Sequence, residues 1–361
     1  MTTLQITDVM IPDRLGTPEA ADFEAAIAVR TAVNAHDSGT NDEARPPEEM
    51  LPTWRKQEHE PKRMVLAREG ETVLGRGVIE YRLGDAVDTT WLHVEVLPEH
   101  RGRGVGRALA EWLLDIATAD GKSKAIVYAP SWRVGGARLD APTGFGDVPA
   151  DTAETRLLLS LGFRLEQVER GSRLPLPLDR AVLERVRDDA AQAAGPDYRV
   201  HRWGDHTPEQ WQEDLAHLLT RMSTDAPSAG LDEGEDPWTV ERLLEDEQLE
   251  AEGPRTGFTA AVEHVPSGRL VAFTTLYAPA ELDRPADQED TIVLREHRGH
   301  RLGMLVKAEN LLALDELRPG HPAVVTYNAE ENRHMLSVNE ALGFAPFVYE
   351  GAWRKDLEPL R

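Results

Sequence analysis

Hydrophobic and polar positions alternate along the chain in an order that occurs twice. In the first half, apolar residues two apart predict strands, and apolar residues three and four apart predict amphipathic helices. Strands are predicted at 4–8, 64–68, 72–82, 91–97, 124–129 and 164–174, and helices at 18–34, 48–57, 107–119 and 152–160. We expect one mixed sheet covered by helices. The predicted fold class is therefore α/β, with a mixed sheet of the α+β type.

The same order of elements returns in the second half. Strands are predicted at 198–203, 255–263, 269–277, 291–294, 324–328 and 347–353, and helices at 208–221, 238–250, 304–314 and 331–342. We therefore predict two domains, at 1–178 and 197–361. The prolines of Leu174-Pro175-Leu176-Pro177 end the last strand of the first domain, because proline lacks the N–H that a sheet needs. Asp179 and Gly195 are typical ends of a helix, which predicts a linker helix at 179–196.

Composition and charge add mainly exclusions. The 361 residues suit two domains of roughly 100–200 residues each. The chain has no cysteine, which excludes disulfides, thiolate metal sites and cysteine nucleophiles, and we predict no metal site. Neither a long apolar run nor a signal-peptide pattern is present, so a cytoplasmic location is expected. The net charge of −24 disfavours nucleic acid and anionic membranes and favours cationic small molecules, although solubility alone also explains it.

One glycine- and arginine-rich turn follows a strand in each half. The two turns are Glu99-His100-Arg101-Gly102-Arg103-Gly104-Val105-Gly106 and Glu296-His297-Arg298-Gly299-His300-Arg301-Leu302-Gly303. Glycines let the backbone approach an anion, and the helix that follows directs its N–H groups and dipole at negative charge, so each turn predicts a phosphate site. Arg101, Arg103 and Arg107 would form a basic island in this acidic chain. The sequence lacks the motifs of P-loop and dinucleotide-binding proteins.

Two segments each allow two interpretations. The glycine-rich insert around 131–148 is either a lid or substrate loop, or surface decoration. The stretch from 225 to 252 holds 11 acidic residues and one basic residue, Arg242. It is either a solvated acidic face or a rim that attracts a cationic amine.

The order of elements resembles the GNAT superfamily of N-acetyltransferases. The resemblance is carried by Arg-x-x-Gly-x-Gly after the fourth strand and by Leu-Gly-Phe before the last, which occurs as Leu161-Gly162-Phe163 and Leu342-Gly343-Phe344. The first turn matches the family's acyl-CoA pyrophosphate motif in full, whereas Arg301 replaces a glycine in the second. The layout is similar to that of mycothiol synthase and related actinobacterial proteins. The resemblance implies two tandem GNAT-fold domains, each a mostly antiparallel twisted sheet with flanking helices and a splay between its fourth and fifth strands.

The resemblance also implies acetyl-CoA, or another acyl-CoA, as the cofactor. In the first half the backbone of Val94, Glu95 and Val96 would pair with the pantetheine arm. The pyrophosphate would lie on Arg101, Gly102, Arg103, Gly104, Val105, Gly106 and Arg107. The corresponding residues of the second half are Thr291, Ile292, Val293, Arg298, Gly299, His300, Arg301, Leu302, Gly303, Met304 and, near the CoA arm, Asn332.

Acetyl transfer to an amine needs a base for the ammonium proton and an acid for the leaving thiolate. His93 and Glu95 share one face of the fourth strand, and Asp290 aligns with His93 in the second half, so these three are candidate bases. Many family members carry the acid as a tyrosine three residues before Leu-Gly-Phe, where this chain has a leucine and Asn339. Asn339 can hydrogen-bond the sulfur but not protonate it, and Tyr327 is a candidate acid or a core tyrosine. The tandem resemblance favours the second domain as the catalytic one.

The predicted function is acetyl-CoA-dependent transfer of an acetyl group to a primary amine. We expect the acceptor to be a small, cationic metabolite or antibiotic-like molecule that attacks directly in a ternary complex. A non-catalytic acyl-CoA sensor is one alternative, because both expected tyrosines are missing. A transferase of a longer acyl group is another, which depends on the size of the thioester pocket. Nucleic acid and membranes are not expected as partners. A monomer with pseudo-dimeric pairing of its domains is expected, with a homodimer as the alternative.

Overall fold

Two compact units make up the chain in the computed structural model, which describes residues 3–82, 88–131 and 135–358. Unit 1 comprises Met1–Glu169, Ser228–Gly234 and Tyr349–Arg361. Unit 2 comprises Arg170–Pro227 and Glu235–Val348.

Unit 1 contains the elements predicted for the first half, with ends shifted by a few residues. In chain order they are β1 (Leu4–Asp8), α1 (Ala21–Ser38), α2 (Pro47–Arg55), β2 (Lys62–Glu69), β3 (Thr72–Tyr81), β4 (Thr89–Val96), α3 (Val105–Ala119), β5 (Lys124–Ser131), β6 (Arg138–Asp140), β7 (Asp147–Pro149), α4 (Ala153–Ser160) and residues 164–169 of β8 (Arg164–Pro175). Local chemistry fixes several of these ends. The chain leaves α1 through Gly39 in the left-handed region at φ 72°, and the Thr152 side chain accepts the N–H of Thr155 at the start of α4.

The sheet of unit 1 has the strand order β1-β2-β3-β4-β5-β14, in which β14 (Ala345–Asp356) is the last strand of the chain. Its neighbours are antiparallel except for β4 and β5. One face packs on α3, with Ile79 and Leu92 against Leu109. The opposite face packs on α1 and α2, with Val78 against Phe23. The alternation of side chains along β3 and β4 therefore decides which residues face α3 and which face the other side.

Unit 2 repeats this arrangement with the second set of elements. They are residues 170–175 of β8, α5 (Arg180–Ala194), β9 (Tyr198–Trp203), α6 (Gln212–Asp225), α7 (Val240–Glu252), β10 (Thr256–His264), β11 (Arg269–Ala278), β12 (Ala286–Val293), α8 (Leu302–Leu317), β13 (Ala323–Ala329), α9 (Arg333–Leu342) and residues 345–348 of β14. The sheet order is β8-β13-β12-β11-β10-β9. β12 and β13 are parallel, as β4 and β5 are. Leu276 and Phe258 of the sheet pack with Leu311 of α8.

The predicted fold class, two tandem mixed and mostly antiparallel sheets with flanking helices, is confirmed. The compact units nevertheless differ from a division at 178 and 197. Residues 349–356 of β14 pair with β5, and residues 228–234 pack beside the same strand, so both belong to unit 1. The helix predicted as a linker is α5, which begins at the Asp179 cap and packs on α8 within unit 2. The domain boundaries drawn along the repeat remain a prediction.

The glycine-rich insert forms a small antiparallel sheet of β6 and β7, joined at Leu139 opposite Val148. Val148 is buried in the core that contains Leu165 and Trp353. Part of the insert is therefore structural, while residues 132–134 lie outside the described residues.

Neither a membrane span nor a metal site is found in the part of the chain that the structure describes. Among residues 3–82, 88–131 and 135–358, no helix is both long and apolar enough to cross a bilayer. The same residues contain no group of three histidine, aspartate or glutamate side chains arranged to hold a metal ion.

Candidate active site

The two parallel strands of unit 1 separate partway along their length. β4 and β5 pair from Thr89 opposite Lys124 only as far as Trp91 opposite Ile126, and the described residues form no further pair. On its other side β4 stays paired with β3 as far as Val96. The edge of β4 beyond Trp91 therefore leaves backbone N–H and C=O groups facing a gap. This is the splay that the resemblance described above implies.

A cavity of about 450 Å³ opens on the sheet face opposite α3, where these strands diverge. Its lining is mostly acidic and aromatic. The acidic members are five glutamates, Glu60, Glu80, Glu169, Glu233 and Glu350. The remaining members are Lys62, Arg82, His93, Tyr81, Trp91 and Tyr128. The cavity suits a cationic molecule better than an anion.

An ion pair on neighbouring strands projects into this cavity. His93 Nε2 on β4 lies 3.7 Å from Glu80 Oε2 on β3, with the two side chains 39% and 42% exposed. Burial disfavours the charge on Glu80, but His93, Lys62 and Arg76 outweigh it and lower its pKa to about 2. Burial likewise opposes the imidazolium, yet Glu80 and Glu95 raise the pKa of His93 above its usual value. The pair can take up a proton at His93 while Glu80 stabilises the resulting charge.

Glu95 shares a strand face with His93, but its carboxylate is already paired with Arg76. The Arg76 guanidinium, directly opposite on β3, donates to its carboxylate from Nε at 2.9 Å and from Nη2 at 2.8 Å. Burial opposes its charge, but Arg76 outweighs this and lowers the pKa of Glu95. A carboxylate held in this way is a weak base, so the interpretation of Glu95 as a base is not supported. Of the two predicted bases of the first half, His93 lines the cavity and Glu95 does not.

A second carboxylate is fixed on the far side of β4. Glu233 Oε1 accepts from the Tyr128 hydroxyl at 2.9 Å and from Trp91 Nε1 at 3.4 Å. Burial and the carboxylates of Glu233 and Glu169 raise the pKa of Tyr128 well above its usual value. The phenol therefore stays protonated and acts here as a hydrogen-bond donor.

Glu350 on β14 is a third distinctive carboxyl group of the cavity. Its burial, together with the nearby charges of Glu169 and Glu43, raises its pKa to about 8. A large part of Glu350 is therefore protonated at neutral pH. A bound cation would favour its ionisation, because the cation would offset the repulsion from Glu169.

The turn after β4 has the backbone shape that a phosphate needs. Gly102 and Gly104 adopt the left-handed region with φ of 73° and 87°. A Cβ at either position would meet no protein atom within 4 Å, so the space beside both is open. Gly104 is the N-cap of α3 and no side chain caps the first N–H groups of that helix. These free donors and this open cradle fit the pyrophosphate of an acyl-CoA.

The side chain of Arg101 does not take part in the basic island that the sequence predicts. Its Nε donates to the carbonyl oxygen of Val96 at 3.0 Å, and its two terminal nitrogens each donate to Asp37 at 2.8 Å. The side chain thus ties the turn to the last turn of α1 instead of facing an anion. Arg103 and Arg107 are also paired, with Glu69 and Glu111, but they are 46% and 45% exposed and remain the candidates for a phosphate contact.

The second turn keeps the same backbone shape despite its altered sequence. Gly299 has φ of 87°, and Arg301 stands at the N-cap of α8 with φ 57° and ψ 20°, where the first half has Gly104. A left-handed arginine costs about 1–2 kcal/mol relative to a right-handed one. Arg298 makes contacts equivalent to those of Arg101, since its Nε donates to Val293 O at 3.1 Å and a terminal nitrogen lies 3.7 Å from Asp225. The second turn therefore presents the same uncapped helix start.

The predicted catalytic residues of the second half belong to unit 2. The Tyr327 ring packs edge-on against Phe347, with centroids 6.2 Å apart. Asn339 is buried, its Nδ2 donates to Asn328 Oδ1 at 2.7 Å, and its own Oδ1 has no hydrogen bond with the described residues. Asp290 is exposed, at a bulge where β11 and β12 change register.

The cofactor residues predicted for unit 2 lie beside a similar gap. β12 pairs with β13 only as far as Asp287 opposite Val325 in the described residues, so 288–293 form a free edge. Asn332 does not lie on this strand edge. It stands at the start of α9, where its side chain accepts the N–H of Met335 and caps the helix. Its predicted contact with the CoA arm would use the amide NH₂ group or the second acceptor site of the amide oxygen.

Comparison with known families and structures identifies the fold. Residues 32–134 match the model of the acetyltransferase (GNAT) family. The chain carries a GNAT acetyltransferase domain. It is also similar over 99% of its length to the whole of a tandem GNAT protein from the clavulanic acid biosynthesis pathway, with 21% identity and a TM-score of 0.74. A GCN5-related N-acetyltransferase from Sphaerobacter thermophilus matches with 16% identity and a TM-score of 0.61, covering 97% of this chain and 98% of that one. No curated protein matches the chain.

The similar structures confirm the predicted tandem GNAT fold, and the family model over residues 32–134 supports the predicted acyltransferase of the GNAT type. GNAT acetyltransferases take their acetyl group from acetyl-CoA. Sequence reasoning missed Glu80, Glu233 and Glu350. The sequence pattern could have indicated Glu80, because it is a polar residue on the face of β3 that also carries Arg76. No pattern indicates Glu233 or Glu350, because they reach the cavity from segments remote in the sequence.

Proposed function

We propose that unit 1 is an acetyl-CoA-dependent N-acetyltransferase that acts on a primary amine of a small, cationic molecule. The observation that carries this proposal is the cavity at the β4–β5 splay, which four further glutamates line together with the His93–Glu80 pair. This departs from the expectation, based on the tandem layout, that the second half is catalytic. The residues of unit 2 singled out for catalysis are in a different setting, since Tyr327 packs on Phe347 and Asp290 is exposed.

Each residue of unit 1 has a distinct task in this proposal. Acetyl-CoA supplies an acetyl group activated as a thioester. The uncapped N–H groups at the start of α3 and the free edge of β4 bind that cofactor. The glutamates attract the ammonium form of the acceptor, and His93 accepts its proton while Glu80 stabilises the imidazolium. The neutral amine then attacks the thioester carbonyl carbon directly, with both substrates bound. The C–N bond forms as the C–S bond breaks, and the proton that the attacking nitrogen loses neutralises the CoA thiolate that leaves.

The proposal is tested by release of free CoA thiol from acetyl-CoA in the presence of spermidine, an aminoglycoside or a neutral alcohol. The chain has no cysteine, so a thiol reagent reports CoA without a protein background. We expect turnover with the amines, and a fall of about 10²–10⁴-fold in kcat for His93→Gln. Glu71→Gln, an exposed position at the β2–β3 turn, is the matched control for Glu80→Gln.

Two outcomes would replace the proposal. Binding of acetyl-CoA without thiol release for any amine would favour the sensor alternative, which the leucine at the usual tyrosine position motivates. Faster turnover with a longer acyl-CoA than with acetyl-CoA would favour a transferase of that acyl group.

A further inference from the structure

Residues 228–234, which we call the docking segment, pack beside β4 and β5 in unit 1 and contribute Glu233 to the lining of the cavity. They lie between α6 and α7 in the sequence. Leu231 anchors the segment, since its side chain is 1% exposed and packs in one cluster with Trp91 and Ile126. The cluster sits on the last paired rung of β4 and β5, at the start of the splay.

Polar contacts hold the docking segment in a strained shape. Lys124 Nζ donates to the carbonyl oxygen of Asp232 at 2.7 Å, and the Arg354 guanidinium donates to that of Gly230 at 2.8 Å. Ala229 and Asp232 adopt φ of 46° and 52°, which side chains other than glycine rarely adopt. Such strain persists only where surrounding contacts over-determine the backbone, and it concentrates at functional sites.

This anchoring fixes the carboxylate of Glu233 through only one of its two oxygens. Both contacts of Glu233, from Tyr128 and from Trp91, are made to Oε1. Oε2 has no hydrogen bond with the described residues, although Glu233 lines the cavity. The neighbouring Trp91 ring already accepts a cation on its face, since the Arg82 guanidinium lies 4.7 Å from its centroid. Arg82 thus already covers the Trp91 ring, and the open place for a ligand's positive charge on this side of the cavity is Glu233 Oε2.

Glu233 and Glu80 stand on opposite sides of β4. Glu80 projects from β3, whereas Glu233 is bound to Tyr128 of β5 on the same sheet face. Glu80 is already paired with His93, so an ammonium group held by the His93–Glu80 pair leaves Glu233 Oε2 for a second positive charge.

We propose that Glu233 binds a second cationic group of the acceptor, so that the substrate is a diamine or polyamine-like dication. This rests on the proposed function, in which His93 and Glu80 serve the reacting amine. Glu233 is then a specificity-determining residue. It selects for a charge that takes no part in the chemistry.

The test compares cadaverine with n-pentylamine, which differ by one terminal ammonium group. We expect wild type to prefer cadaverine by about tenfold or more in kcat/KM, as one charged hydrogen bond allows. Glu233→Gln keeps an oxygen that can accept from Tyr128 and Trp91 but removes the charge. It should bring the ratio close to one, mainly through the KM for cadaverine, and leave the KM for acetyl-CoA unchanged. Glu235→Gln, two positions on and exposed, is the matched control.

Leu231→Ala provides a second route to the same answer, because it loosens the docking segment and keeps the Glu233 carboxylate. It should also lower the cadaverine preference. An unchanged ratio in both variants, or a wild type without preference for cadaverine, would overturn the inference while leaving the acetyltransferase proposal standing. A wild type that acetylates neither amine nor spermidine would instead contradict the acetyltransferase proposal itself.

Discussion

Arg101 in the phosphate turn and Asp37 near the end of α1 form a two-pronged ion pair, with both N···O distances at 2.8 Å. The same guanidinium also donates to Val96 O, the last residue of β4. Three elements that surround the cofactor cradle are thereby joined through one side chain. Arg298 and Asp225 repeat the arrangement in unit 2 at 3.7 Å.

We predict that Arg101→Ala destabilises unit 1 by about 1–2 kcal/mol, after allowing for the partial exposure of the pair. Asp37→Asn should cost less, and the double variant should cost less than the sum, because the two residues share one interaction. Chemical denaturation of the four proteins measures this coupling. Arg103→Ala is the control: it should weaken acetyl-CoA binding and its salt dependence with little effect on stability. Additive effects of Arg101 and Asp37 would refute the proposed tie.

The role of Arg101 illustrates what the sequence allows. Phosphate chemistry predicts the turn, and the left-handed glycines at Gly102 and Gly104 agree with it. The same chemistry assigns the adjacent arginine to the phosphate, because its partner Asp37 lies 64 residues away and no local pattern links them. Glu233 reaches Trp91 over 142 residues for the same reason. Periodicity predicts the elements, but tertiary packing decides which charged side chains are consumed by partners and which remain for a ligand.

The acidic stretch from 225 to 252 contains carboxylates that are paired with arginines and one, Glu233, that lines the cavity. Asp225, Asp236 and Glu250 are ion-paired with arginines of unit 2, namely Arg221, Arg242 and Arg255. They form neither an exposed acidic face nor a rim. Glu233 is the member that lines the cavity, which agrees with the interpretation that part of the stretch attracts a cationic amine.

The His93–Glu80 pair predicts the pH dependence of turnover. Glu80 raises the pKa of His93 above its usual 6.5, and a base must be neutral to act. The kcat/KM should therefore rise with pH through a value above 6.5 in wild type. Glu80→Gln removes the carboxylate that stabilises the imidazolium, so this limb should move to lower pH. The pKa of the acceptor amine is common to both enzymes, and the difference between their profiles isolates His93. Coincident limbs would exclude His93 as the titrating base.

Matched substitutions in the two turns decide which unit is catalytic. A Cβ at Gly106 would lie 3.5 Å from Val96 Cγ2, and one at Gly303 would lie 3.8 Å from Val293 Cγ2, so both positions tolerate a small side chain. A larger side chain should obstruct a cofactor that approaches the helix start. We predict that Gly106→Val abolishes turnover and that Gly303→Val retains it. Loss of turnover in Gly303→Val alone would return catalysis to unit 2.

Counting bound acetyl-CoA by native mass spectrometry on the same variants separates binding from chemistry. Loss of one cofactor from each variant would mean that both turns bind. One cofactor on wild type, lost only in Gly106→Val, would leave the second turn as a scaffold.

Lys307 predicts a pH-dependent stability that is confined to unit 2. Its side chain is 1% exposed, and its Nζ lies 5.9 Å from the Phe344 ring centroid. Burial lowers its pKa to about 7 from the usual 10.5. The folded state therefore resists protonation while the unfolded state accepts it, so stability falls as the pH drops from 10.5 to 7 and then stays level.

Lys307→Met keeps the apolar stem and removes the titrating amine. We expect it to raise the melting temperature by several degrees at pH 7, with a smaller gain at pH 9.5, since about 1 kcal/mol shifts the midpoint of a unit this size by 2–4 °C. Lys56→Met, at an exposed position, is the control and should change little at either pH. An equal gain at both pH values would mean that packing, rather than the cost of burying the ammonium group, explains the effect.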